Sequence, residues 1–368
     1  MQTPSRAMRL LIQIPCLNEE ECLPVTMHEL PRALPGFDDI GIVVVDDGSH
    51  DGTAELAERL GAQTVRVPRS RGLAHAFMIG IEACLELGAD IIVNTDADNQ
   101  YVGADVARLV APIVEGRADV VIGARPISSI ATFSPTKRLL QRLGSWTVRL
   151  LSGTEVADAT SGFRAFSREA AMRLNVFSRY TYTLETIVQA TQCDLRVISV
   201  PIRTNAAMRK SRLVRNNIDY VWRSGSALLR MSIVYRPFRF FMLPALASFA
   251  LATVIGLRFV ADYIGSGGVA GHVQSLILTA ILYGVSVSLA VVAFLGDLFT
   301  INRRLLEDLQ LYNRRRRFDA TMRGARPADP AVRSRSAATH GASADDPAVT
   351  DLDRDRGAGV DSHKIATP

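Results

Sequence analysis

Two carboxylates one residue apart, Asp96 and Asp98 in the stretch Ala89–Gln100 (ADIIVNTDADNQ), are the residues of this chain best suited to chemistry. The apolar run Ile91-Ile92-Val93 reads as a doubly covered parallel strand that ends in Asp96-Ala97-Asp98. In open α/β sheets the ligand crevice lies beyond the carboxyl ends of the strands, so the pair would project hard oxygen ligands into it, with Gln100 adding an amide oxygen. Such a set suits Mg²⁺ or Mn²⁺. A cation held by one or two carboxylates usually completes its shell with substrate phosphates, which points to a substrate carrying a diphosphate. D-x-D alone is a weak signal, and a surface turn rich in Asp and Asn is the plain alternative.

Three further strand ends carry polar groups. Leu11–Ile14 runs into Pro15, Cys16, Leu17, Asn18, Glu19 and Glu20; Val43–Val45 into Asp46, Asp47, Gly48 and Ser49; Val120–Ile122 into Gly123, Ala124 and Arg125. By the strand-end rule these loops should meet at the crevice shared with Asp96 and Asp98. Carboxylates there can accept from a base N–H or a ribose hydroxyl, and Arg125 can fork onto a phosphate. Taken singly, Asp46 or Asp47 serves equally well as a helix-capping acid. No G-x-G-x-x-G follows the first strand and no G-x-x-x-x-G-K-[ST] occurs, which disfavours a dinucleotide dehydrogenase or a P-loop enzyme.

The elements that must position these groups alternate. Strand-like runs at Leu10–Ile14, Ile40–Val45, Thr64–Val67, Ile91–Asn94 and Asp119–Ile122 are separated by helix-like segments near Cys22–Leu34, Thr53–Leu60, Leu73–Leu87 and Val102–Glu115. This β-α alternation implies an α/β fold, a mostly parallel sheet with helices on both faces.

The 368 residues are 48% hydrophobic, high for a purely soluble protein, and the excess is localised. Phe240–Leu257 carries no charge over 18 residues and Val273–Gly296 none over 24. As helices these are about 27 and about 36 Å long at 1.5 Å per residue, against a hydrocarbon core of about 30 Å. The first becomes long enough if it continues through a snorkelling Arg258 to Tyr263. Both read as membrane spans.

The net charge of +5 does not imply nucleic acid, because the basic residues gather beside the spans. Nine of them, from Arg203 to Arg239, face one acid, Asp219, and Arg303, Arg304 and Arg314–Arg317 follow the second span. The connecting segment Ile264–His272 has no Lys or Arg, so the positive-inside rule puts both termini in the cytoplasm. Cys16, Cys22, Cys84 and Cys193 show no C-x-x-C spacing, against a disulfide framework or a zinc site.

Taken together and in order, Ile14-Pro15 with Asn18-Glu19-Glu20, Val45-Asp46-Asp47-Gly48-Ser49, Asp96-Ala97-Asp98, Gly123-Ala124-Arg125 and Ser161-Gly162-Phe163-Arg164 resemble glycosyltransferase family 2. The trailing pair of spans is similar to its polyprenyl-phosphate branch, whose dolichol-phosphate mannose synthases are the best known members. The resemblance covers roughly Leu10 to Arg304. It implies a GT-A fold, a nucleotide-sugar donor (UDP- or GDP-linked), a divalent metal and a polyprenyl phosphate acceptor. Carried over residue by residue, Pro15, Asn18 and Glu19 would border the nucleoside and Asp46 and Asp47 would contact the base. Asp96 would lie near ribose and metal, Asp98 and Gln100 would coordinate the metal, and Arg125 would hold donor phosphate. Asp158 and Ser161–Arg164 would line the acceptor side. Ser70 stands where many members have Asn, and Met208–Arg212 matches the Gly-x-Ser-Lys phosphate loop of the dolichol branch only loosely.

On this reading residues 1–212 form the GT-A catalytic domain, 213–239 juxtamembrane amphipathic helices, 240–302 a two-helix anchor in the cytoplasmic membrane, and 303–368 a basic and then disordered cytoplasmic tail. Asp158 is a candidate general base or a turn cap, and Glu185 a weaker candidate for the same role or a structural acid at a helix start. Lys137, Arg138, Arg142 and Arg149, spaced along Pro126–Leu151, read as a solvated helix face. Leu213–Tyr235 reads as a basic amphipathic helix on the anionic leaflet. The acceptor phosphate would be clamped by Arg164, Arg203, Arg209, Lys210 and Arg212, between sheet and membrane. A homo-oligomer is compatible with such an anchor. The expected chemistry is inverting transfer in which Asp98, Arg125 and Asp158 act on the departing nucleotide and the incoming phosphate. A glycolipid or envelope-glycan acceptor, and a non-catalytic nucleotide-sugar-binding scaffold, are the alternatives.

Overall fold

The computed structural model describes residues 8–126, 156–176, 182–206, 226, 229–230, 233–265 and 273–324. Arg209, Lys210, Arg212, nearly all of Pro126–Leu151, most of the amphipathic segment Leu213–Tyr235 and the chain beyond 324 lie outside them.

The strands are β1 (Arg9–Cys16), β2 (Asp39–Asp46), β3 (Gln63–Arg66), β4 (Ile91–Asn94), β5 (Val120–Ala124), β6 (Arg164–Ser167) and β7 (Val197–Pro201). They form one sheet in the order β3-β2-β1-β4-β6-β5-β7. All neighbours are parallel except at β6, which runs antiparallel to both β4 and β5. The helices between them are α1 (Leu23–Glu29), α2 (Thr53–Arg59), α3 (Leu73–Glu86), α4 (Val106–Val114), α5 (Arg168–Arg173) and α6 (Thr183–Gln192). This is the GT-A-like mixed α/β arrangement.

Alternation along β1 divides the core. Leu10, Ile12 and Ile14 pack with Met27 and Leu109 on the α1 and α4 side, while Leu11 packs with Phe77, Ile81 and Ile187 on the α3 and α6 side. Burial on both faces is why the central strands read as near-continuous apolar runs. Gln13 is a buried exception on the α3 side, and Gly80 makes room for it: a Cβ there would stand 2.2 Å from the Gln13 amide oxygen.

Strand order reverses between β1 and β4, creating a switch point. The antiparallel β6 then has its amino end where β4 ends, with Asn94 opposite Arg164. Sheet register therefore brings Ser161-Gly162-Phe163 beside Asp96.

Two further helices follow, α7 (Pro237–Gly265) and α8 (Val273–Gly324). Both are long and apolar enough to cross a membrane, and only 11% and 17% of their most apolar windows is buried. A core helix of a soluble protein would be mostly covered, so these two mark the chain as membrane-associated. They meet along a seam of small residues, as lipid-facing helix pairs do. Ser248 donates to the Leu282 carbonyl at 3.0 Å and Ser286 to that of Ala245 at 2.9 Å. Ala252 and Ala293 are fully buried.

The basic segment expected to begin a tail at residue 303 is helical as far as Gly324, where it continues α8. Its Arg303 guanidinium lies 4.1 Å over the Tyr235 ring and donates to Gln192. Arg314 donates to the carbonyls of Met172 and Leu174 and pairs with Glu82 at 3.0 Å. Phe318 is 1% exposed and belongs to the α3 and α6 core. These contacts recur at the spacing of one helix face, so the end of α8 docks on the catalytic domain.

Candidate active site

The carboxyl ends of β1, β2, β4 and β5 converge as expected, and hydrogen bonds between loops fix them. Asn18, at φ 56°, uses a left-handed conformation that Asn tolerates, and its side-chain oxygen accepts from His50 N at 2.8 Å. Ser49 Oγ accepts from Asn18 N, and Thr53 Oγ1 from Glu19 N. The β1 and β2 loops are thereby one unit. Asp46 accepts from Ser49 N at 3.0 Å. Asp47 is 2% exposed and accepts from Ser70 Oγ, Arg71 N and Gly72 N. Its carboxylate holds the Arg69–Gly72 loop, a role the sequence reading gave to helix capping or base contact.

Asp96 and Asp98 are both half-buried at the end of β4. Thr26 Oγ1 donates to the Ala97 carbonyl at 2.8 Å and so ties α1 to the turn between them. Asn99 closes the turn at φ 53°. Gln100 N donates to Asp98 Oδ1 at 3.1 Å. Burial, then the neighbouring charge of Asp98, pushes the Asp96 carboxyl up to about 7. The Tyr101 hydroxyl hydrogen bonds to Asp96 and accepts from Gly162 N at 3.0 Å. Two acids crowded this closely form a pair of hard oxygen donors whose repulsion a divalent cation would relieve, so the residues fit such an ion, while the Gln100 amide oxygen accepts from Arg125.

Arg125 is 10% exposed and held by Asp158: Nε donates to Oδ2 at 2.7 Å and Nη2 to Oδ1 at 3.2 Å. Nη2 also donates to Thr160 Oγ1, and Nη1 to Gln100 Oε1 at 3.3 Å. Of the five N–H donors of a guanidinium, these contacts leave one on Nη1. The expected two-pronged grip on a phosphate is therefore corrected: in this arrangement the fork belongs to Asp158.

Asp158 itself is fully buried, and its Oδ1 also accepts from Thr160 N and Oγ1. Burial works to raise it, but the charge and hydrogen bonds of Arg125, with those of Thr160, outweigh that and hold the carboxyl below its ordinary value. A depressed, enclosed carboxylate is a poor base and a good brace.

The expected acceptor contact of Arg164 is corrected. Arg164 is 0% exposed, and donates to the carbonyls of Ser161, Thr183 and Ala159 and to Thr186 Oγ1 at 2.6–2.8 Å. Burial draws its pKa down to about 10, so it stays charged while tying the Ala159–Ser161 loop to the start of α6. No lipid phosphate can reach it. Arg203 gives Nε and Nη2 to Asp105, leaving Nη1.

Sequence reasoning missed the polar relay beneath the acids. Gln13 Nε2 donates to Asn94 Oδ1, and Asn94 Nδ2 donates to the Gly162 carbonyl and to Tyr182 Oη, each at 2.8 Å. Tyr101 was missed as well, and its ring stacks on Phe163 at 5.0 Å. The available signal was its place directly after Gln100.

A GT-A-like sheet with its acids gathered at the switch point is the architecture of a sugar-transferring enzyme. Residues 11–174 match the family model described as Glycosyl transferase family 2. An undecaprenyl-phosphate mannosyltransferase of Micrococcus luteus is 30% identical over 53% of this chain and 83% of its own. A polyprenol monophosphomannose synthase of Mycolicibacterium smegmatis is 30% identical over 57% and 83%. A UDP-N-acetylglucosamine–dolichyl-phosphate N-acetylglucosaminyltransferase of Methanococcus voltae is 30% identical over 52% and 83%. The chain belongs to glycosyl transferase family 2 and is a glycosyltransferase with polyprenyl-phosphate sugar transferases among its homologues.

Proposed function

We propose that the chain transfers a sugar, with inversion, from a nucleotide-sugar to a polyprenyl phosphate at the cytoplasmic face of the membrane, with both termini on that side. The observation that carries this reading is the union of an acidic switch-point site with α8, one helix that is apolar and exposed along its first part and docked on the catalytic domain at its end. The relatives named for transfer to polyprenyl phosphates support the acceptor class.

In this mechanism a phosphate oxygen of the acceptor attacks the anomeric carbon, the bond from that carbon to the diphosphate oxygen breaks, and nucleoside diphosphate leaves with the electron pair. With a second pKa of about 6, a phosphate monoester is already ionised at neutral pH, so no general base is required. Asp96, Asp98 and Gln100 would hold Mg²⁺ or Mn²⁺, which when bound offsets charge on the leaving diphosphate. Arg125, braced by Asp158, directs its remaining N–H and its positive charge at the donor phosphates. Pro15, Asn18, Glu19, Asp46 and Asp47 border the nucleoside. Of the basic acceptor residues, Arg203 keeps one free nitrogen for lipid phosphate, and Arg209, Lys210 and Arg212 are assigned from sequence.

The test is incubation of membranes bearing the protein with labelled UDP- and GDP-sugars, Mg²⁺ or Mn²⁺ and short polyprenyl phosphates. The expected product is organic-extractable and acid-labile, and absent with Asp98→Asn. Label in glycan polymer or protein alone would instead support a different acceptor, and no transfer from any donor would support a binding scaffold.

A further inference from the structure

A cavity of about 500 Å³ opens where α6, the start of α7 and the polar exit of α8 meet. This is within the range of small-molecule sites. Its lining is divided. Tyr235, Pro237, Phe238 and Ile301 supply apolar surface, while Arg236, Arg239 and Arg304 face a single carboxylate, Asp297. None of these three arginines has an ion-pair partner among the described residues. Arg303 is the contrast, since Glu307, Gln192 and the Tyr235 ring occupy it.

We propose that this cavity binds the phosphate headgroup of an anionic bilayer phospholipid, at a site separate from sugar transfer. Three arguments converge on that ligand. First, the arginines stand where the apolar stretches of α7 and α8 give way to charge, the level at which an anionic leaflet carries its phosphates. Second, guanidinium groups bind phosphate by paired N–H donors and shed water more readily than ammonium groups do. Third, Phe238 of the lining packs against Phe294 at 5.5 Å, and Phe294, with Leu243, Leu246 and Leu298 on the same two helices, is exposed apolar surface that an acyl chain could cover.

Position separates this phosphate from the reacting one. Thr183, at the start of α6, holds Arg164 of the active-site loop, and Gln192, at its end, lines the cavity. The ten-residue helix from Thr183 to Gln192 is about 15 Å long. Because Gln192 also receives Arg303, a lipid seated here would fasten the catalytic domain and the helix pair to the same leaflet. The inference rests on the membrane placement of α7 and α8 and is independent of which sugar or acceptor is used.

The experiment is native mass spectrometry of the full chain released from detergent, offered phosphatidylglycerol, phosphatidylcholine, a short polyprenyl phosphate or inorganic phosphate. The expected result is one phosphatidylglycerol retained per chain under conditions that strip phosphatidylcholine, and at least tenfold weaker retention in the Arg236→Gln/Arg304→Gln variant. That variant should keep its melting temperature, and its transfer to a short polyprenyl phosphate in neutral detergent should stay within twofold. Arg304→Lys should fall between it and the wild type, and Arg258→Gln, near the far end of α7 and paired with Asp262, should match the wild type. Equal retention of both phospholipids, or undiminished retention in the double variant, overturns the proposal. So does stoichiometric displacement by polyprenyl phosphate, which would make this the acceptor site, or by inorganic phosphate, which would make it a free-anion site.

Discussion

Gly162 lies against the Asp96 carboxylate so closely that a Cβ would stand 2.7 Å from Oδ2 and 2.8 Å from Oδ1. The approach follows from the register of β6 on β4 and from the hydrogen bond of Gly162 N to Tyr101 Oη. Gly162→Ala should therefore displace Asp96, cost about 1–3 kcal/mol through overpacking and lower transfer at least tenfold. Gly61→Ala is the control, because a methyl at Gly61 meets nothing within 4 Å despite a φ of 82°. It should lose some stability and no activity; melting curves and transfer rates on both proteins check this.

Asp158→Asn removes the counter-charge of Arg125 inside the protein. Breaking a buried pair of this kind costs about 3–5 kcal/mol, and transfer should fall with it because Arg125 loses its orientation. If Asp158 were instead the base, the acidic limb of the pH–rate profile would move with the substitution. The expectation is a lower rate with that limb unchanged.

The same pair sets an acid dependence. Asp158 has a lower pKa folded than unfolded, so its contribution is fully present above the ordinary carboxylate value of about 4 and is lost as pH falls through the depressed folded value. Wild type should lose stability in that window more steeply than Asp158→Asn, as denaturant midpoints between pH 6 and pH 3 will reveal.

Arg164→Lys separates an internal tie from a substrate contact. Lysine has three donors and cannot reproduce four bonds made from a planar fork. Stability should drop by at least about 3 kcal/mol, given that each hydrogen bond to a charged group contributes about 1.5–3 kcal/mol. A stable protein with a raised KM for polyprenyl phosphate would restore Arg164 to the acceptor site.

Chelation with EDTA should abolish transfer, and Mg²⁺ or Mn²⁺ should restore it to wild type but not to Asp98→Asn. Activity that survives chelation and dialysis would remove the cation from the mechanism.

The parts of this molecule that announce themselves locally were readable from the chain. Short apolar runs ending in acids located β1, β2, β4 and β5 to within a residue or two, because doubly covered strands have little freedom in composition. The opening site residues Asp96, Asp98, Gln100 and Arg125 are adjacent for the same reason. What sequence could not supply is the direction in which a long side chain points. Arg164 and Asp158 sit in motifs beside the site, yet tertiary contacts turned one inward and paired the other with Arg125. The end of α8 escaped for a related reason: its docking face is made largely of arginines, so it carries the signature of a solvated segment, while among the described residues Phe318 supplies the deep apolar anchor.

A rod clamped at one end and greased at the other transmits displacement. Because α8 runs without interruption from its exposed apolar stretch to the Phe318 socket, the proposed membrane placement makes it a lever: a tilt of the apolar part would carry the catalytic domain with it. On that placement, bilayer thickness should tune turnover, much as a lever's length fixes where its tip lands.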